Sequence, residues 1–208
     1  MDVLIGTRNK YKATEMVSFL GSYSGVNLHM LEDSDIKIKV EEDQSTLKKN
    51  AEKKAIEISK LTDWYVLASD GGVDIPGLGE KWDILKSQRI VGEEKTDIEK
   101  AEKLLSLMES LKGEERKVSY TLALALAKND NLIWSADGIT DRGYISEKLV
   151  DREIPSYRWM GHLWYYPQYK RVFNKLSEEE KEDVRKQGIE MKRKLMNIIK
   201  EILEKNRK

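Results

Sequence analysis

The sequence contains no cysteine and only two histidines, His29 and His162. Without thiols the chain can form no disulfide, use no cysteine nucleophile and build no zinc–thiolate site. Two imidazoles are too few for a multi-histidine metal site, so any bound metal is expected to have oxygen ligands, which favours Mg²⁺ and leaves Mn²⁺ possible. Basic and acidic residues each number 37, so no basic excess indicates a nucleic-acid partner.

Long apolar runs are also absent, since no stretch reaches the roughly 18 residues that a membrane-spanning helix needs. We therefore expect no membrane partner. Segment 1–10 is a short apolar run followed by charge rather than a signal peptide, so a cytoplasmic location is expected. The chain has only 3 prolines and 13 glycines among 208 residues, too few for low-complexity linkers. The length suits one domain of two lobes or at most two small domains, and we predict a single domain over 1–208, built of two lobes.

Apolar periodicity predicts strands and helices in alternation, followed by strands joined through hairpins. This order is typical of a mixed α/β sheet with flanking helices. The predicted strands are 3–6, 26–30, 36–40, 64–68, 117–127, 132–136 and 143–146, and the predicted helices are 10–20, 46–61, 97–111 and 178 onward. We further predict an abrupt turn over 69–72, a loop over 76–95 and a hairpin turn over 129–131.

The string T-R-N-K-Y-K over 7–12 follows the first predicted strand and opens a helix. Free backbone N–H groups and the helix dipole make such a place suitable for phosphate. Thr7 and Asn9 can add neutral hydrogen bonds there, and Lys12 can add a positive charge. The string is equally consistent with a helix N-cap followed by surface lysines.

Three consecutive acids, Glu41 to Asp43, precede a predicted helix that carries Asn50 and Lys54 on its inward side. Clustered carboxylates can hold a hard cation through one or two oxygens, while water and substrate phosphates supply the others. An acidic triplet taken alone is more often a solvated loop. Polar side chains on an inward helix face, however, need either a partner or a cleft.

Asp70 stands at the predicted end of a buried strand and is followed by two glycines. Catalytic groups of α/β sheets lie at such strand ends. An aspartate in this place can bind a metal or deprotonate water. An Asx turn, with glycines chosen for their backbone freedom, explains the string equally well.

In this order and spacing, the three strings resemble the non-standard purine nucleoside triphosphate pyrophosphatases, which are the inosine triphosphatase or Ham1-like family. The family's T-x-N-x-x-K matches Thr7, Asn9 and Lys12. Its E-x-G-x-T-F-x-x-N-A-x-x-K-A aligns with Glu42, Thr46, Leu47, Asn50, Ala51, Lys54 and Ala55, with Gln44 in place of the glycine. Its D-S-G-L aligns with Asp70 to Val73, and its later S-x-R aligns with Ser87 and Arg89.

The resemblance implies an elongated mixed α/β fold with two lobes around a central cleft. It implies a magnesium-dependent hydrolase that cleaves altered purine triphosphates, such as those of inosine, xanthosine and deoxyinosine, to the monophosphate and pyrophosphate, which cleanses the nucleotide pool. Glu42 and Asp70 would hold the metal, and Asp70 would also act as the base or position the attacking water. The substrate would be bound by Thr7, Asn9, Lys12, Lys54, Ser87 and Arg89. Since the family commonly forms homodimers, a homodimer is expected.

The aromatic C-terminal region departs from the family. The family's G-F-G-[YW]-D-P, which holds the base, corresponds best to 162–167, where Leu163 replaces the phenylalanine and Tyr166 replaces the aspartate. The phosphate-binding part is thus retained and the base-reading part altered, and we assign Tyr165 and Tyr166 to the base. Each ring of the local aromatic cluster is explained either by stacking on a base or by packing in a core or dimer surface. The cluster comprises Tyr157, Trp159, Trp164, Tyr165 and Tyr166.

Two alternatives to this function remain open. The altered base-reading positions are consistent with a nucleotide-binding or sensing module without turnover. So is Ser69, which replaces the acidic residue that usually precedes Asp70 in the family. The second alternative is a pyrophosphatase for other modified nucleotides, as in the related Maf-like family, although the T-x-N-x-x-K string favours the Ham1-like assignment.

Overall fold

The computed structural model describes residues 1–21, 23–150, 152 and 159–205. Its strands are β1 (Asp2–Ile5), β2 (Asn27–Met30), β3 (Tyr65–Asp74), β4 (Lys117–Lys128), β5 (Asn131–Ile145), β6 (Trp164–Tyr166) and β7 (Arg171–Val172). Its α-helices are α1 (Lys10–Leu20), α2 (Leu47–Ser59), α3 (Ser87–Val91), α4 (Asp97–Leu107), α5 (Glu178–Arg185) and α6 (Ile189–Lys205). Within these described ranges, no helix has both the length and the apolar character needed to cross a membrane.

The strands form a seven-stranded sheet in the order β2-β1-β3-β4-β5-β6-β7. β1 pairs in parallel with β2 and with β3, whereas β6 pairs in antiparallel fashion with β5 and β7. Parallel neighbours need a crossover connection, and α1 and α2 lie in the two crossovers. The predicted mixed α/β sheet with flanking helices is therefore confirmed, while the single domain of two lobes around a cleft remains a prediction.

The chain divides into two compact units. The first unit comprises Met1–Gly71, Leu122–Gly138 and the segment that begins at Ile189. In its core, Leu4 of β1 and Val66 of β3 pack with Ile58 of α2. The N-cap of α2 is Thr46, whose side chain accepts a hydrogen bond from the backbone N–H of Lys49. A cap of this kind satisfies one of the donors that a helix leaves unpaired at its start, so the predicted start of α2 is confirmed.

Segment 36–40, which alternation predicts as a strand, has no regular secondary structure. Its apolar side chains, Ile36, Ile38 and Val40, are partly buried against the core of the first unit. One-sided packing therefore explains the alternation, and the strand prediction is wrong because alternation alone does not supply a pairing partner.

The second unit comprises Gly72–Thr121 and Ile139–Gly188. Arg116 is buried in this unit, and its guanidinium donates to four backbone carbonyl oxygens. The accepting residues are Met108, Leu111, Ile145 and Ser146. Burial lowers the pKa of the Arg116 guanidinium. All four acceptors are main-chain groups. The Arg116 side chain therefore links the backbone after α4 to the backbone at the end of β5.

The turn predicted over 69–72 is wrong, because β3 continues through these residues to Asp74. A Cβ atom on Gly72 would lie 2.4 Å from the carbonyl oxygen of Ile84. No side chain fits at that distance, so the glycine is required by the close approach of another backbone segment rather than by a chain reversal.

β5 is likewise one strand where two were predicted, because it continues through 137–142. A Cβ atom on Gly143 would lie 2.5 Å from Nε1 of Trp164, so this glycine makes room for the indole inside a continuous strand. The predicted hairpin turn before β5 is confirmed, since Asn129 and Asp130 have φ angles of 50° and 59°. Positive φ at both positions is the requirement of a two-residue hairpin turn.

Two helical regions also differ from the prediction. The loop predicted over 76–95 contains the short helix α3. The long helix predicted from Glu178 is divided into α5 and α6 by a 3₁₀ turn over Lys186–Gly188. A Cβ atom on Gly188 would lie 3.2 Å from Cβ of Thr140. Close packing against Thr140 favours glycine at position 188, and glycine has a low helix propensity. The helix is therefore interrupted at this point.

Candidate active site

The Asp70 side chain is the buried centre of a polar cluster in the first unit. Asp70 lies within β3 and is 4% exposed. Its Oδ1 accepts a hydrogen bond from the backbone N–H of Gly71 at 2.8 Å, and its Oδ2 accepts one from Nδ2 of Asn50 at 3.1 Å. The ammonium groups of Lys12 and Lys54 lie 3.7 Å and 3.6 Å from Oδ1. The buried carboxylate is thus held in place and flanked by two positive charges, as a buried charge requires.

Asn50 is the residue whose role the sequence alone did not reveal. It is 3% exposed on α2, and its Oδ1 accepts from the backbone N–H of Gln44 at 2.9 Å. The amide therefore joins the segment before α2 to the carboxylate of Asp70. The sequence does show that Asn50 is a polar residue on an inward helix face, which requires a buried partner. It does not show which residue is the partner, because Asp70 is 20 positions away along the chain.

The acidic segment 41–43 is attached to α2 by two lysines. Lys54 contacts Oε1 of Glu42 at 2.7 Å, and Lys53 contacts Oδ1 of Asp43 at 2.8 Å. The hydrogen bond from Lys53 and a second one from Gln44 hold the pKa of Asp43 below its usual value. The Lys54 side chain is only 12% exposed, whereas that of Glu42 is 46% exposed. Glu42 therefore reaches from solvent toward the same ammonium that contacts Asp70.

The segment 7–12 forms the helix N-cap, which is one of the two roles considered for it, and its phosphate-binding role stays a prediction. Asn9 is the N-cap of α1, and its Oδ1 accepts from the backbone N–H groups of Tyr11 and Lys12. Thr7 Oγ1 accepts from the N–H of Asn9. The capping alternative thus describes Asn9 in this structure, while the Lys12 side chain extends to Asp70. The predicted binding of substrate by Thr7 and Asn9 remains a prediction.

The carboxylates of Glu42 and Asp70 fit a hard divalent cation. Both contact Nζ of Lys54, so they face a common small region. Over the ranges that the structure describes, no group of three or more His, Asp and Glu side chains is gathered for a metal. Mg²⁺ is commonly held by one or two carboxylates, with phosphate oxygens and water completing the octahedron, and a pair of carboxylates meets that requirement.

Ser87 and Arg89 belong to the second unit, on the short helix α3. Ser87 is 8% exposed. Arg89 is exposed and its Nε lies 3.5 Å from the carboxylate of Glu93. Their predicted closing over the phosphates stays a prediction.

The two tyrosines assigned to the base also lie in the second unit. Tyr166 is fully buried on β6, and its hydroxyl donates to Oδ2 of Asp141 at 2.7 Å. Its ring centroid lies 6.4 Å from that of Tyr169 and 6.5 Å from that of Phe173. Tyr165 is partly buried, and its backbone pairs with Tyr144 of β5 and Val172 of β7.

The other members of the aromatic cluster divide into two groups. Trp159 and Trp164 are buried in the core of the second unit, which agrees with the packing alternative. Tyr157 lies outside the described residues. The base-recognition role of Tyr165 and Tyr166 is untested by these contacts and stays a prediction.

The first unit thus holds a buried carboxylate between two ammonium groups, with a second carboxylate within reach of one of them. Such an arrangement can neutralise a polyanion, hold a divalent cation against it and orient a water molecule. The fold and this site define an α/β protein of the type that acts on phosphate anhydrides. The match to the family model is consistent with this class: the chain belongs to the Ham1 family, whose model matches residues 3–194.

Relatives agree with this membership, and a solved structure agrees with the fold. A dITP/XTP pyrophosphatase from Desulforamulus reducens is 30% identical over 201 residues, which cover 96% of each chain. A dITP/XTP pyrophosphatase from Clostridium perfringens is 30% identical over 206 residues, which cover 96% of this chain and 98% of the relative. The structure of a HAM1 protein from Coxiella burnetii superposes with a TM-score of 0.79 at 24% identity, covering 97% of this chain and 99% of the other. The family expected from the motifs is confirmed.

Proposed function

We propose that the chain is a nucleoside triphosphate pyrophosphatase that hydrolyses altered purine nucleotides, such as ITP, XTP and dITP, to the monophosphate and pyrophosphate. The observation that carries this proposal is the placement of Asp70 between Lys12 and Lys54 in a chain of the Ham1 family. Relatives that match nearly the whole chain bear the name dITP/XTP pyrophosphatase. The function in the cell would be the removal of damaged purines from the nucleotide pool.

Charge explains why the two lysines belong to such a site. A nucleoside triphosphate carries about four negative charges at neutral pH, and catalysis of its cleavage consists mainly of positioning and charge stabilisation. Lys12 and Lys54 already point toward one carboxylate in the first unit. A phosphate chain that enters there would exchange these ion pairs for contacts with its own oxygens.

Glu42 and Asp70 are the residues that would hold Mg²⁺, with Mn²⁺ as a substitute. Bound there, the cation would supply Lewis-acid charge to the phosphate oxygens. The proposal rests on oxygen donors of the type that Mg²⁺ prefers and on their shared contact with Lys54.

In the proposed reaction Asp70 would accept a proton from the attacking water or orient that water. The water oxygen would bond to the α-phosphorus, the bond from that phosphorus to the bridging oxygen would break, and pyrophosphate would leave. Gly71 and Asn50 each donate a hydrogen bond to one carboxylate oxygen, so both oxygens have fixed directions. A general base held in this way contributes about 10²–10⁴-fold to a rate.

The remaining assignments follow the family resemblance. We propose that Thr7 and Asn9 bind the substrate beside Lys12, that Ser87 and Arg89 bind phosphate, and that Tyr165 and Tyr166 read the base. We also propose a cytoplasmic location, where nucleoside triphosphates are made and used.

The function is tested with a panel of nucleotides. Wild-type protein with Mg²⁺ is mixed separately with ITP, XTP, dITP, ATP, GTP and a modified pyrimidine triphosphate, and pyrophosphate and monophosphate are measured. We expect equal amounts of the two products, with ITP or XTP among the substrates. Tight nucleotide binding without any product would favour a sensing module, and cleavage of the modified pyrimidine alone would favour the other pyrophosphatase alternative. Orthophosphate as the first product would contradict cleavage at the α-phosphorus.

We propose that the protein forms a homodimer through residues 131–143 of β5, along the side of this strand that β6 leaves unpaired. Among the described residues, β5 pairs with β6 only at Tyr144 and Ile145. Leu132, Ile133 and Ile139 of this strand are each 41% exposed. A long exposed strand edge with apolar side chains is a template for pairing with another chain.

Sedimentation analysis tests the homodimer. We expect wild type to sediment as a dimer and Ile133→Lys to shift it toward monomer. Ile189→Lys, at another exposed apolar residue off β5, is the control and should leave the dimer intact. A wild-type monomer, or a dimer that Ile133→Lys does not weaken, contradicts this proposal.

A further inference from the structure

A single ammonium group stands between the two carboxylates that we propose as metal ligands. Nζ of Lys54 lies 2.7 Å from Oε1 of Glu42 and 3.6 Å from Oδ1 of Asp70. The Lys54 and Asp70 side chains are 12% and 6% exposed, so solvent and salt screen their interaction only weakly. In this arrangement one ammonium group already contacts both of the carboxylates that a divalent cation would need.

From this geometry we infer that Lys54 competes with the divalent cation for Glu42 and Asp70, so that the metal binds strongly only together with a triphosphate. The inference rests on the proposed function and deepens it. For the cation to approach both carboxylates, Lys54 must give up both ion pairs, and any ammonium that stays nearby repels the incoming charge. The free protein therefore binds the metal weakly, although both ligands are in place.

A triphosphate removes this obstacle by giving Lys54 a different partner. The three donors of an ammonium group match phosphate oxygens, and a chain of about four negative charges attracts Lys54 away from the carboxylates. Glu42 and Asp70 are then available to the cation. Nucleotide and metal must consequently favour each other's binding by the same factor, because binding free energies are reciprocal.

Lys12 offers a matched comparison within the same cluster. Its ammonium lies 3.7 Å from Oδ1 of Asp70, whereas that of Lys54 contacts both Asp70 and Glu42. Removing the charge of Lys12 lessens the repulsion of a cation but leaves Lys54 bridging both carboxylates. The two lysines should thus differ in their effect on the metal, even if both bind phosphate.

The first measurement is Mn²⁺ binding to nucleotide-free protein, followed by the electron paramagnetic resonance of the free ion. We expect Lys54→Met to bind Mn²⁺ at least about tenfold more tightly than wild type, as loss of a like charge at close range predicts, and Lys12→Met to show a smaller gain. Lys54→Gln gives a second neutral variant should the methionine variant fold poorly, which unfolding curves would show. Unchanged or weaker Mn²⁺ binding in both folded Lys54 variants overturns the inference.

The second measurement repeats the titration with the α,β-imido analogue of ITP, which cannot be cleaved at that bond. We expect the analogue to strengthen Mn²⁺ binding to wild type and to have much less effect on Lys54→Met, in which the ion pairs of Lys54 with Glu42 and Asp70 are already absent. Equal strengthening in both proteins overturns the inference. Because neither titration requires turnover, a wild type that releases no pyrophosphate from any nucleotide would contradict the proposed function and leave this competition standing.

Discussion

Nδ2 of Asn50 donates a hydrogen bond to Oδ2 of Asp70 at 3.1 Å, while Oδ1 of the same amide accepts from the N–H of Gln44 at 2.9 Å. One buried side chain thus fixes both the central carboxylate and the segment that leads into α2. Asn50 is therefore assigned a positioning role, which acts through Asp70.

The variant Asn50→Leu keeps the number and branching of the side-chain heavy atoms and removes both hydrogen bonds. It leaves a buried carboxylate oxygen and a backbone N–H without these partners, and each unpaired group costs about 1–3 kcal/mol. We expect a loss of at least about 2 kcal/mol in the free energy of unfolding and at least a tenfold fall in kcat, with a smaller change in KM. Denaturant unfolding and pyrophosphate release measure the two effects.

Ser59→Ala is the control for Asn50→Leu. Ser59 is also buried on α2, and its hydroxyl accepts from the N–H of Asp130 rather than contacting the candidate site. It should lower stability and leave kcat nearly unchanged. If both variants lose activity only in proportion to stability, Asn50 has a structural role and no positioning role.

A second prediction concerns Asp70 itself. Asp70→Asn keeps the shape and the acceptor for Gly71 but removes the charge and the basicity, so kcat should fall about 10²–10⁴-fold. Nucleotide affinity should fall much less and can rise, because Lys12 and Lys54 lose a competing anion. Single-turnover rates and equilibrium binding separate these quantities. Activity within about twofold of wild type would remove Asp70 from the mechanism.

The elements and residue types of this site were largely predictable from the sequence. Periodicity placed Asn50 and Lys54 on the inward side of one helix predicted to begin at residue 46, where Thr46 is the observed N-cap. Periodicity depends on residues a few positions apart. The family motifs then assigned chemistry to the same positions.

The pairings between distant residues could not be predicted in this way. Nothing local indicates that Asn50 contacts Asp70, or that Lys54 bridges Asp70 and Glu42. Gly72 is another residue whose role depends on a contact with a distant segment. Gly72 looks like a turn residue in the sequence, but the requirement for it comes from the carbonyl oxygen of Ile84 on another segment. Tertiary contacts override the local preference in such cases.

A third prediction tests the charge of Lys12. Lys12→Met retains much of the apolar stem and removes the ammonium, so triphosphate binding should weaken more than monophosphate binding, since more phosphate charge is left uncompensated. Dissociation constants for the α,β-imido analogue of ITP and for IMP provide the comparison. Equal losses for the two ligands would mean that Lys12 contacts only the α-phosphate or is structural.

A fourth prediction concerns alkaline pH and the second unit. The Tyr169 hydroxyl donates to the carboxylate of Asp183, and this hydrogen bond raises the pKa of Tyr169 to about 12. A tyrosine in the unfolded chain titrates near pH 10. Because the folded pKa is the higher one, the contribution of Tyr169 to stability is complete below about pH 10 and is lost as pH rises toward about 12.

Tyr169→Phe should therefore lose this part of the alkaline dependence. We expect the difference in unfolding midpoint between wild type and variant to shrink between about pH 10 and pH 12. Subtracting the tyrosinate absorbance of the variant from that of wild type isolates Tyr169, and this difference should have its midpoint near pH 12. Identical pH profiles for the two proteins over that range would contradict the assignment.

The last prediction concerns Tyr166 and the choice of base. An aspartate at this position would present acceptors, whereas a phenol with a pKa near 10 stays neutral and can donate. Here the hydroxyl donates to Oδ2 of Asp141, and the ring is fully buried. We expect Tyr166 and Asp141 to determine which hydrogen-bonding groups face the base. A base that presents a donor at this place would then lack the acceptor that an aspartate at position 166 would provide. A loss of about 1–3 kcal/mol per unpaired group corresponds to about 5–150-fold in discrimination.

We therefore expect the preference for ITP or XTP over ATP and GTP to be weaker than an aspartate at this position would provide, or to move to another modified base. Tyr166→Phe keeps the ring and removes the hydroxyl that donates to Asp141, so the ratio of kcat/KM for ITP to that for ATP should change by at least about fivefold. Val172→Ala, a buried change on the neighbouring strand β7, controls for general loosening of the second unit and should leave the ratio near its wild-type value. A strong preference for ITP that is the same in wild type and Tyr166→Phe would show that Tyr166 has no part in reading the base, and its hydroxyl would then serve only to satisfy the carboxylate of Asp141.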